Sequence, residues 1–269
     1  MPAVTADTLT LPHLPEASPQ AVERSVRRQI TGPKGFEGEG FPVTRAFAGL
    51  THAELDPFVH MDEMGAVNYA PGEPRGTDWH PHRGFETVTY IMDGRFQHQD
   101  SHGGGGRIRP GATQWMTAGS GLLHIEAPPE KLVMDGGLFH GLQLWVNLPA
   151  KDKMSEPRYQ EFAPERIPVV APAPGVSVKV IAGEVDGVRG PIAQPATDPT
   201  YLDIALEPGA RWSHALAEGQ NAFAYAFEGA LSIGEGEDAR ELQAQELAVL
   251  GGGERVVLAA GDHGARLIL

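Results

Sequence analysis

The sequence predicts an all-β chain built from two β-barrels, and three observations carry this prediction. First, its 269 residues suit two barrels of roughly 100 or more residues each. Second, 34 glycines and 23 prolines lie well above average usage, which favours turns between short strands over long helices. Third, the second half weakly repeats the strand and turn pattern of the first, which suggests duplication of one barrel.

The first half is predicted to be a series of short strands. These segments are rich in β-branched, aromatic or alternating residues; they are Val43–Phe47, Asp56–Met64, Thr87–Ile91, Arg95–Gln99, Thr113–Thr117, Leu122–Ala127 and Leu142–Leu148. Asp93-Gly94 is a hairpin signal between Thr87–Ile91 and Arg95–Gln99. Gly65–Trp79 is predicted to be a loop, either a lid or an ordinary connection, and Gly103–Gly106 a flexible loop.

The second half has the same style. Glu228-Gly229 stands in it where Asp93-Gly94 stands in the first half. Its strand-like segments are Glu207–His214, Ala222–Gly234, Leu247–Leu250, Val256–Ala259 and Leu267–Leu269.

Three parts are expected along the chain. Prolines cluster over residues 149–175, and we place the linker between barrels near 149–160. The division is then an N-terminal arm over 1–21, a first barrel over 22–148 and a second barrel over 149–269.

Composition excludes several classes of function. The chain has no cysteine, so disulfides and thiolate metal sites are excluded. Its formal net charge of −14 disfavours direct contact with nucleic acid. Residues 1–20 show no secretory leader, and no segment approaches the roughly 18 apolar residues of a membrane span. We therefore expect a cytoplasmic protein that contacts neither nucleic acid nor membrane.

One pattern predicts a metal site. His80 and His82 are two residues apart, so in a strand both imidazoles point to one face. His124 and Glu126 repeat the arrangement on a later strand. A single His-x-His is a weak signal, but the two motifs with strands and turns between them are more specific. Glu86 has the same parity as His82 and is expected further along that face.

The residue types also narrow the choice of metal. Imidazoles and a carboxylate without thiolate suit one transition-metal ion with positions open for water or substrate. Iron is favoured, and manganese, cobalt, nickel, copper and zinc are also compatible.

The same residues resemble a known family. The segment HPHRGFETVTYIMDGRFQHQDSHGG (His80–Gly104), followed by IRPGATQWMTAGSGLLHIEAP (Ile108–Pro128), is similar to the pirin family of the cupin superfamily. RSVRRQI (Arg24–Ile30) and DPFVHMDE (Asp56–Glu63) also resemble pirin segments. The resemblance is specific over residues 22–148 and holds only in general style over 149–269.

The resemblance implies a bicupin, with two stacked cupin-type barrels and metal in the N-terminal barrel only. It implies four ligands, which are His80, His82, His124 and Glu126. Cupins in general take their glutamate ligand from the first motif, here Glu86, whereas pirins take it from beside the last histidine. We therefore choose Glu126 and expect Glu86 to orient a ligand histidine.

The second half offers no comparable ligand set. His214 precedes Gly229 much as His80 precedes Gly94, but position 216 is leucine and no His-x-His forms. We expect the C-terminal barrel to be degenerate and to bind no metal.

The resemblance also implies a function. Pirins resemble quercetinases, so the first hypothesis is a quercetin 2,3-dioxygenase-like oxidoreductase acting on a polyphenolic substrate and O2. In it Glu126 is the catalytic residue that takes the phenolic proton. The alternative is a redox-sensing metal-binding regulator that acts through protein partners. A different cupin reaction on another small molecule is the third hypothesis.

Other residues near the motifs have weaker interpretations. His98, Asp100 and His102 are read as lining a pocket mouth or, more often for such residues, as facing solvent. His60 has two interpretations, a position near the metal or, as the preferred one, simple strand polarity. Apolar strand residues are read as barrel core, with a few forming a pocket wall; they are Phe58, Phe85, Val88, Met116, Leu142 and Trp145.

Overall fold

The structure is a computed structural model that describes residues 21–269. The predicted arm, residues 1–21, therefore lies outside the described residues except for Ala21. The described part is mostly β, as predicted, and none of its helices is long and apolar enough to cross a membrane.

Twenty-two strands and two short α-helices follow one another along residues 21–269. The elements of the first half are β1 (Val26–Thr31), β2 (Lys34–Glu37), β3 (Phe41–Arg45), α1 (His52–Leu55), β4 (Phe58–Tyr69), β5 (His80–His82), β6 (Phe85–Asp93), β7 (Phe96–Asp100), β8 (Gly105–Ile108), β9 (Thr113–Thr117), β10 (Leu122–Ala127), α2 (Glu130–Asp135) and β11 (Gly137–Asn147).

The elements that follow are β12 (Arg158–Phe162), β13 (Val169–Val170), β14 (Val176–Ala182), β15 (Glu184–Val185), β16 (Val188–Arg189), β17 (Tyr201–Leu206), β18 (Arg211–Ala215), β19 (Phe223–Ile233), β20 (Arg240–Gln243), β21 (Glu246–Leu250) and β22 (Arg255–Ile268). Two 3-10 turns lie among them, at Pro164–Arg166 and Gly236–Asp238.

Two sheets face each other in the first half. One has the strand order β12-β9-β6-β11-β4-β3-β2, and the other has the order β5-β10-β7-β8. Side chains of β6 and β11 in the first sheet reach Glu126 of β10 in the second, so the space between the sheets is where the predicted site lies. The second half contributes most strands of a large sheet ordered β1-β21-β19-β22-β17-β14-β13, in which β18 pairs with β22 and β20 with β19. Strands β15 and β16 form a separate two-stranded sheet.

The pairing of strands departs from the predicted division of the chain in two places. β1, from the first part of the chain, pairs with β21 of the second sheet. β12, which falls in and beyond the predicted linker, pairs with β9 and completes the first sheet. The prolines around β12 argue against a strand when only the sequence is considered. β12 lies at the edge of its sheet, where neighbouring prolines are tolerated.

The predicted hairpin at Asp93-Gly94 is wrong. β6 pairs with β9 and β11, whereas β7 pairs with β8 and β10, so the chain changes sheets at this turn. Gly94 has φ +77°, and a Cβ there would lie 2.6 Å from the Leu138 carbonyl oxygen. A type I′ hairpin requires positive φ at both central residues, and Asp93 is not among the residues with positive φ.

Gly229 is the corresponding glycine of the second half, and it lies inside the continuous strand β19, which stays in one sheet. It has φ +69°, and a Cβ there would collide with the Gly264 carbonyl oxygen of β22. β19 pairs with β21 before this point and with β20 after it. Both glycines thus have a left-handed backbone and a close carbonyl oxygen, but the chain changes sheets only at Gly94, and Glu228-Gly229 is not a hairpin turn.

Two predicted loops are partly strand. β4 continues to Tyr69 through pairing with β11, so the predicted loop Gly65–Trp79 begins later than expected. Gly105 and Gly106 pair with β7 as the start of β8, so the predicted flexible loop Gly103–Gly106 is half ordered strand. In both places small residues give little indication of a strand in the sequence, and pairing with a neighbouring strand extends the strand beyond what was predicted.

The two faces of the sheet formed by β6, β11 and β4 face different parts of the structure. Alternate residues on one face point between the two sheets of the first half, toward the predicted site. Residues on the other face form one hydrophobic core with the second half. This core contains Met61, Val88, Leu142 and Leu144 from the first half and Tyr201, Phe223, Tyr225 and Leu247 from the second. The strands that build the site are therefore held in place by the second half.

Candidate metal centre

Two neighbouring strands bring three imidazoles together. β5 runs antiparallel to β10, with His80 opposite His124 and His82 opposite Leu122. The ring centres of His80 and His124 are 4.4 Å apart, and those of His82 and His124 are 4.7 Å apart. One nitrogen from each of the three rings lies within 4.8 Å of the others. The two histidines of β5 thus point to the same side, and the three rings are close enough together to hold one metal ion.

The hydrogen-bonding state of these rings fits a metal. His80 Nδ1 donates to the Asp78 carbonyl oxygen at 2.8 Å, which leaves Nε2 as the available lone pair. His82 Nε2 and both nitrogens of His124 are buried without a hydrogen-bond partner among the described residues. Buried polar atoms normally have partners. A cation shared by the three rings would bind one nitrogen of each, which would account for His82 Nε2 and for one of the two His124 nitrogens.

The electrostatics keep two of the rings neutral. Burial, and secondarily the imidazole of His80, lowers the pKa of His82 to about 4. Burial, and then the imidazoles of His82 and His80, lowers the pKa of His124 to about 3. Both rings are therefore unprotonated at neutral pH, which is the form that ligates a metal.

Glu126 adjoins this cluster. Its Oε2 lies 3.9 Å from His124 Nε2, and its carboxylate is buried. Gln143 Nε2 donates to both carboxylate oxygens, at 3.2 and 3.0 Å, and Thr89 Oγ1 donates to Oε1 at 3.5 Å. Burial raises the pKa of Glu126, and the Gln143 hydrogen bond opposes this effect. A cation among the imidazoles would favour the charged carboxylate.

The site opens into a cavity of about 460 Å³. His80, His82 and Glu126 line one side of it. Strands β3, β4 and β11 supply the opposite side, with both apolar and polar side chains; among them are Phe41, Val43, His60, Asp62, Met64, Gln143 and Trp145. A cavity of this size that combines an apolar wall with a few polar groups is typical of a small-molecule site.

Glu86 does not orient a ligand histidine, contrary to the prediction. Its Oε1 accepts hydrogen bonds from Thr117 Oγ1 at 2.5 Å and from Gln194 Nε2, on the face that meets the second half. The strand breaks between His82 and Phe85, where Gly84 has φ +78°. Counting parity across this break is what misplaced Glu86.

His98, Asp100 and His102, which lie in β7 and just after it, differ in burial. His98 is buried, and its Nε2 lies 2.6 Å from Glu161 Oε1. Asp100 accepts hydrogen bonds from the backbone N–H groups of His102 and Gly104, which closes the turn after β7. The His102 side chain is exposed. Of these three residues, His102 faces solvent as the preferred interpretation has it, whereas His98 and Asp100 are buried.

Sequence reasoning missed three polar residues of the cavity and its surroundings, which are Gln143, Thr89 and Asp62. Each lies on a strand at an inward-facing position. Gln143 stands between Leu142 and Leu144 in an otherwise apolar strand, which is the signal that could have revealed it. Asp62 forms a period-two pattern with His60, which lines the cavity and is more than strand polarity.

Two family models match the chain. The model described as Pirin matches residues 40–146, and the model described as Pirin C-terminal cupin domain matches residues 201–269. The first match contains all four predicted ligands, and the second lies in the second sheet.

Proteins from bacteria and animals agree with these matches. A pirin-like protein of Caulobacter vibrioides is 42% identical over 214 residues, which are 78% of this chain and 75% of that protein. The pirin of Homo sapiens is 41% identical over 234 residues, which are 87% of this chain and 77% of that protein. A crystal structure of quercetin 2,3-dioxygenase from Acinetobacter baumannii is 34% identical, with a TM-score of 0.85 over 92% of this chain and 86% of that one. This chain therefore belongs to the pirin family.

Proposed function

We propose that the chain is a metal-dependent dioxygenase of the quercetinase type, acting on a flavonol such as quercetin together with O2. The observation that carries the proposal is the convergence of His80, His82 and His124 in a cavity that also presents Glu126 and an aromatic wall. The 34% identity to a quercetin 2,3-dioxygenase supports the choice of substrate.

The three imidazoles and Glu126 would hold a single iron ion. The set contains nitrogen and oxygen donors without thiolate, and it comes from two strands on one side of the cavity, which leaves the other side to substrate. A bound iron would supply Lewis-acid polarisation and the one-electron chemistry that a reaction with O2 requires.

Glu126 is the residue we propose as proton acceptor. Gln143 and Thr89 hold its carboxylate at the cavity wall, so a substrate hydroxyl in the cavity comes within reach of Oε1 or Oε2. Removing the phenolic proton there makes the flavonol an electron-rich anion that reacts more readily with O2.

We propose further that the barrel over residues 149–269 binds no metal. His214 of β18 stands where His80 stands in the first half, and Leu216 stands where His82 does, while the residue opposite His214 on β22 is Val256. Trp212 and Leu258 belong to an apolar core, and His214 stacks on Trp212 with ring centres 4.8 Å apart. One histidine among apolar side chains cannot replace three.

Oxygen uptake tests the function. Protein loaded with a quantified amount of iron is expected to consume O2 when quercetin is added. Glu126→Ala should lose turnover, and His124→Ala should lose both turnover and metal. The absence of turnover with every first-row metal tried would refute the enzymatic proposal and favour the regulatory alternative.

A further inference from the structure

Asp62 is a buried carboxylate in the cavity wall opposite the histidines. β4 places His60, Asp62 and Met64 on one face, and all three line the cavity. Asp62 is 4% exposed, and its Oδ2 lies 3.2 Å from His60 Nε2. Its Oδ1 is buried and has no hydrogen-bond donor within residues 21–269. A buried carboxylate oxygen without a donor is unfavourable, so this position calls for a donor from a molecule in the cavity.

The position of Asp62 relative to Glu126 sets the span of such a molecule. Asp62 stands directly opposite Gln143 in the pairing of β4 with β11. Gln143 in turn donates to Glu126. Neighbouring strands lie about 4.8 Å apart. Asp62 is therefore one strand away from Gln143, whereas Glu126 lies on β10 of the facing sheet and lines the same cavity. A single ring system with hydroxyl groups at both ends can reach both.

The wall beside these groups is aromatic. The Trp145 ring stacks on Phe85 at 4.7 Å with a 29° angle between the planes, and the His60 ring lies 4.9 Å from it. Trp145 lines the cavity. Planar aromatic molecules pack favourably against such a surface.

We propose that Asp62, held by His60, is the second anchor for the substrate, at which it accepts a hydrogen bond from a ring hydroxyl remote from the metal ligands. This inference rests on the proposed function and specifies its substrate class, a planar aromatic molecule with hydroxyl donors at two separated positions. Asp62 then distinguishes flavonols by the ring hydroxyls that only some of them carry. The end of the cavity beside the metal ligands binds the part of the molecule that all flavonols have in common.

Ligand binding without turnover tests this inference. Iron-loaded protein is titrated under anaerobic conditions with quercetin and with 3-hydroxyflavone, which lacks the other ring hydroxyls of quercetin, and binding is followed by tryptophan fluorescence. Asp62→Asn should weaken quercetin binding by about 10-fold or more, because a hydrogen bond to a charged group is lost. Binding of 3-hydroxyflavone should change by less than about 2-fold.

Two further variants complete the design. Asp135→Asn on α2 is the matched control, since its side chain is 58% exposed and does not line the cavity, and both ligands should bind this variant as they bind wild type. His60→Phe keeps a ring against Trp145 and removes the nitrogen that contacts Asp62. It should show the same selective loss to a smaller degree. This variant gives a result even if Asp62→Asn does not fold.

The outcomes separate the inference from the function. If Asp62→Asn and His60→Phe leave quercetin binding unchanged, or weaken both ligands equally, the anchor is refuted while the proposed function stands. If wild-type protein binds neither flavonol, the proposed function fails and the anchor with it.

Discussion

Tyr90 Oη donates a 2.6 Å hydrogen bond to Oδ2 of Asp203, across the boundary between the two halves of the chain. The reciprocal bond is also present, because Tyr225 Oη of the second half donates to Glu63 Oε2 of the first at 2.7 Å. Both carboxylates are buried. Each half therefore supplies one tyrosine to a carboxylate of the other.

The two pairs occupy corresponding positions. Tyr90 and Glu63 both lie opposite Leu142 on the central strand β11. Tyr225 and Asp203 both lie opposite Ile268 on the central strand β22. This shared register supports the predicted duplication more strongly than the sequence does.

These bonds are expected to stabilise the fold. Tyr90→Phe and Tyr225→Phe should each lower the free energy of unfolding by about 1.5–3 kcal/mol, because a buried carboxylate loses a donor. Urea unfolding measures the loss. Tyr69→Phe is the matched control, since it removes a half-buried hydroxyl that donates to no residue in the described part of the chain. If all three substitutions lower the free energy of unfolding equally, the bonds across the boundary add no stability beyond that of the control hydroxyl.

The imidazole cluster is expected to decide metal content. His82→Ala should retain less than about a tenth of the iron of wild type, because a ligand is lost from a three-imidazole site. Elemental analysis of purified protein gives the metal-to-chain ratio. His102→Ala removes an exposed histidine and should keep the wild-type ratio. A His82→Ala protein that still holds one ion per chain would place the metal elsewhere.

Gln143 is expected to position Glu126 without holding metal itself. Gln143→Leu should lower kcat for quercetin by about 10- to 100-fold, because the carboxylate loses its principal donor. Metal content should stay at the wild-type level, and KM should change by less than about 3-fold. Gln99→Leu, at an exposed position of β7, is the control. A parallel loss of metal would instead mean that Gln143 supports the ligands.

Gly94 is expected to tolerate no side chain. Gly94→Ala should cost about 3 kcal/mol or more, since it combines a left-handed backbone with a clash against the Leu138 carbonyl oxygen. Gly72 has a similar φ of +82° but open space around it, so Gly72→Ala should cost only about 1–2 kcal/mol. Thermal unfolding of both variants isolates the clash. Similar costs would show that the close approach is relaxed in solution.

Local patterns predicted much of the first half. Thr113–Thr117 and Leu122–Ala127 are strands with the predicted ends, because alternating and β-branched residues mark them directly. The histidine cluster was predictable for a related reason, since period-two spacing determines which side chains share a face within one strand.

Other features depend on pairing that no local pattern reveals. Glu86 was misplaced because parity does not carry across the break at Gly84. Val176–Ala182 and Tyr201–Leu206 are strands that the sequence pattern does not predict. The predicted segments Val256–Ala259 and Leu267–Leu269 fall in the single strand β22, which ends one residue before Leu269. Asp62 and Gln143 meet only because β4 and β11 are neighbours, which is a property of the topology.

Anomalous X-ray diffraction at the iron edge, from crystals of iron-loaded protein, locates the metal directly. We expect one anomalous peak per chain, about 2.0–2.2 Å from a nitrogen of each of His80, His82 and His124. A map with no peak between these three rings, or with its only peak elsewhere in the chain, would contradict this expectation.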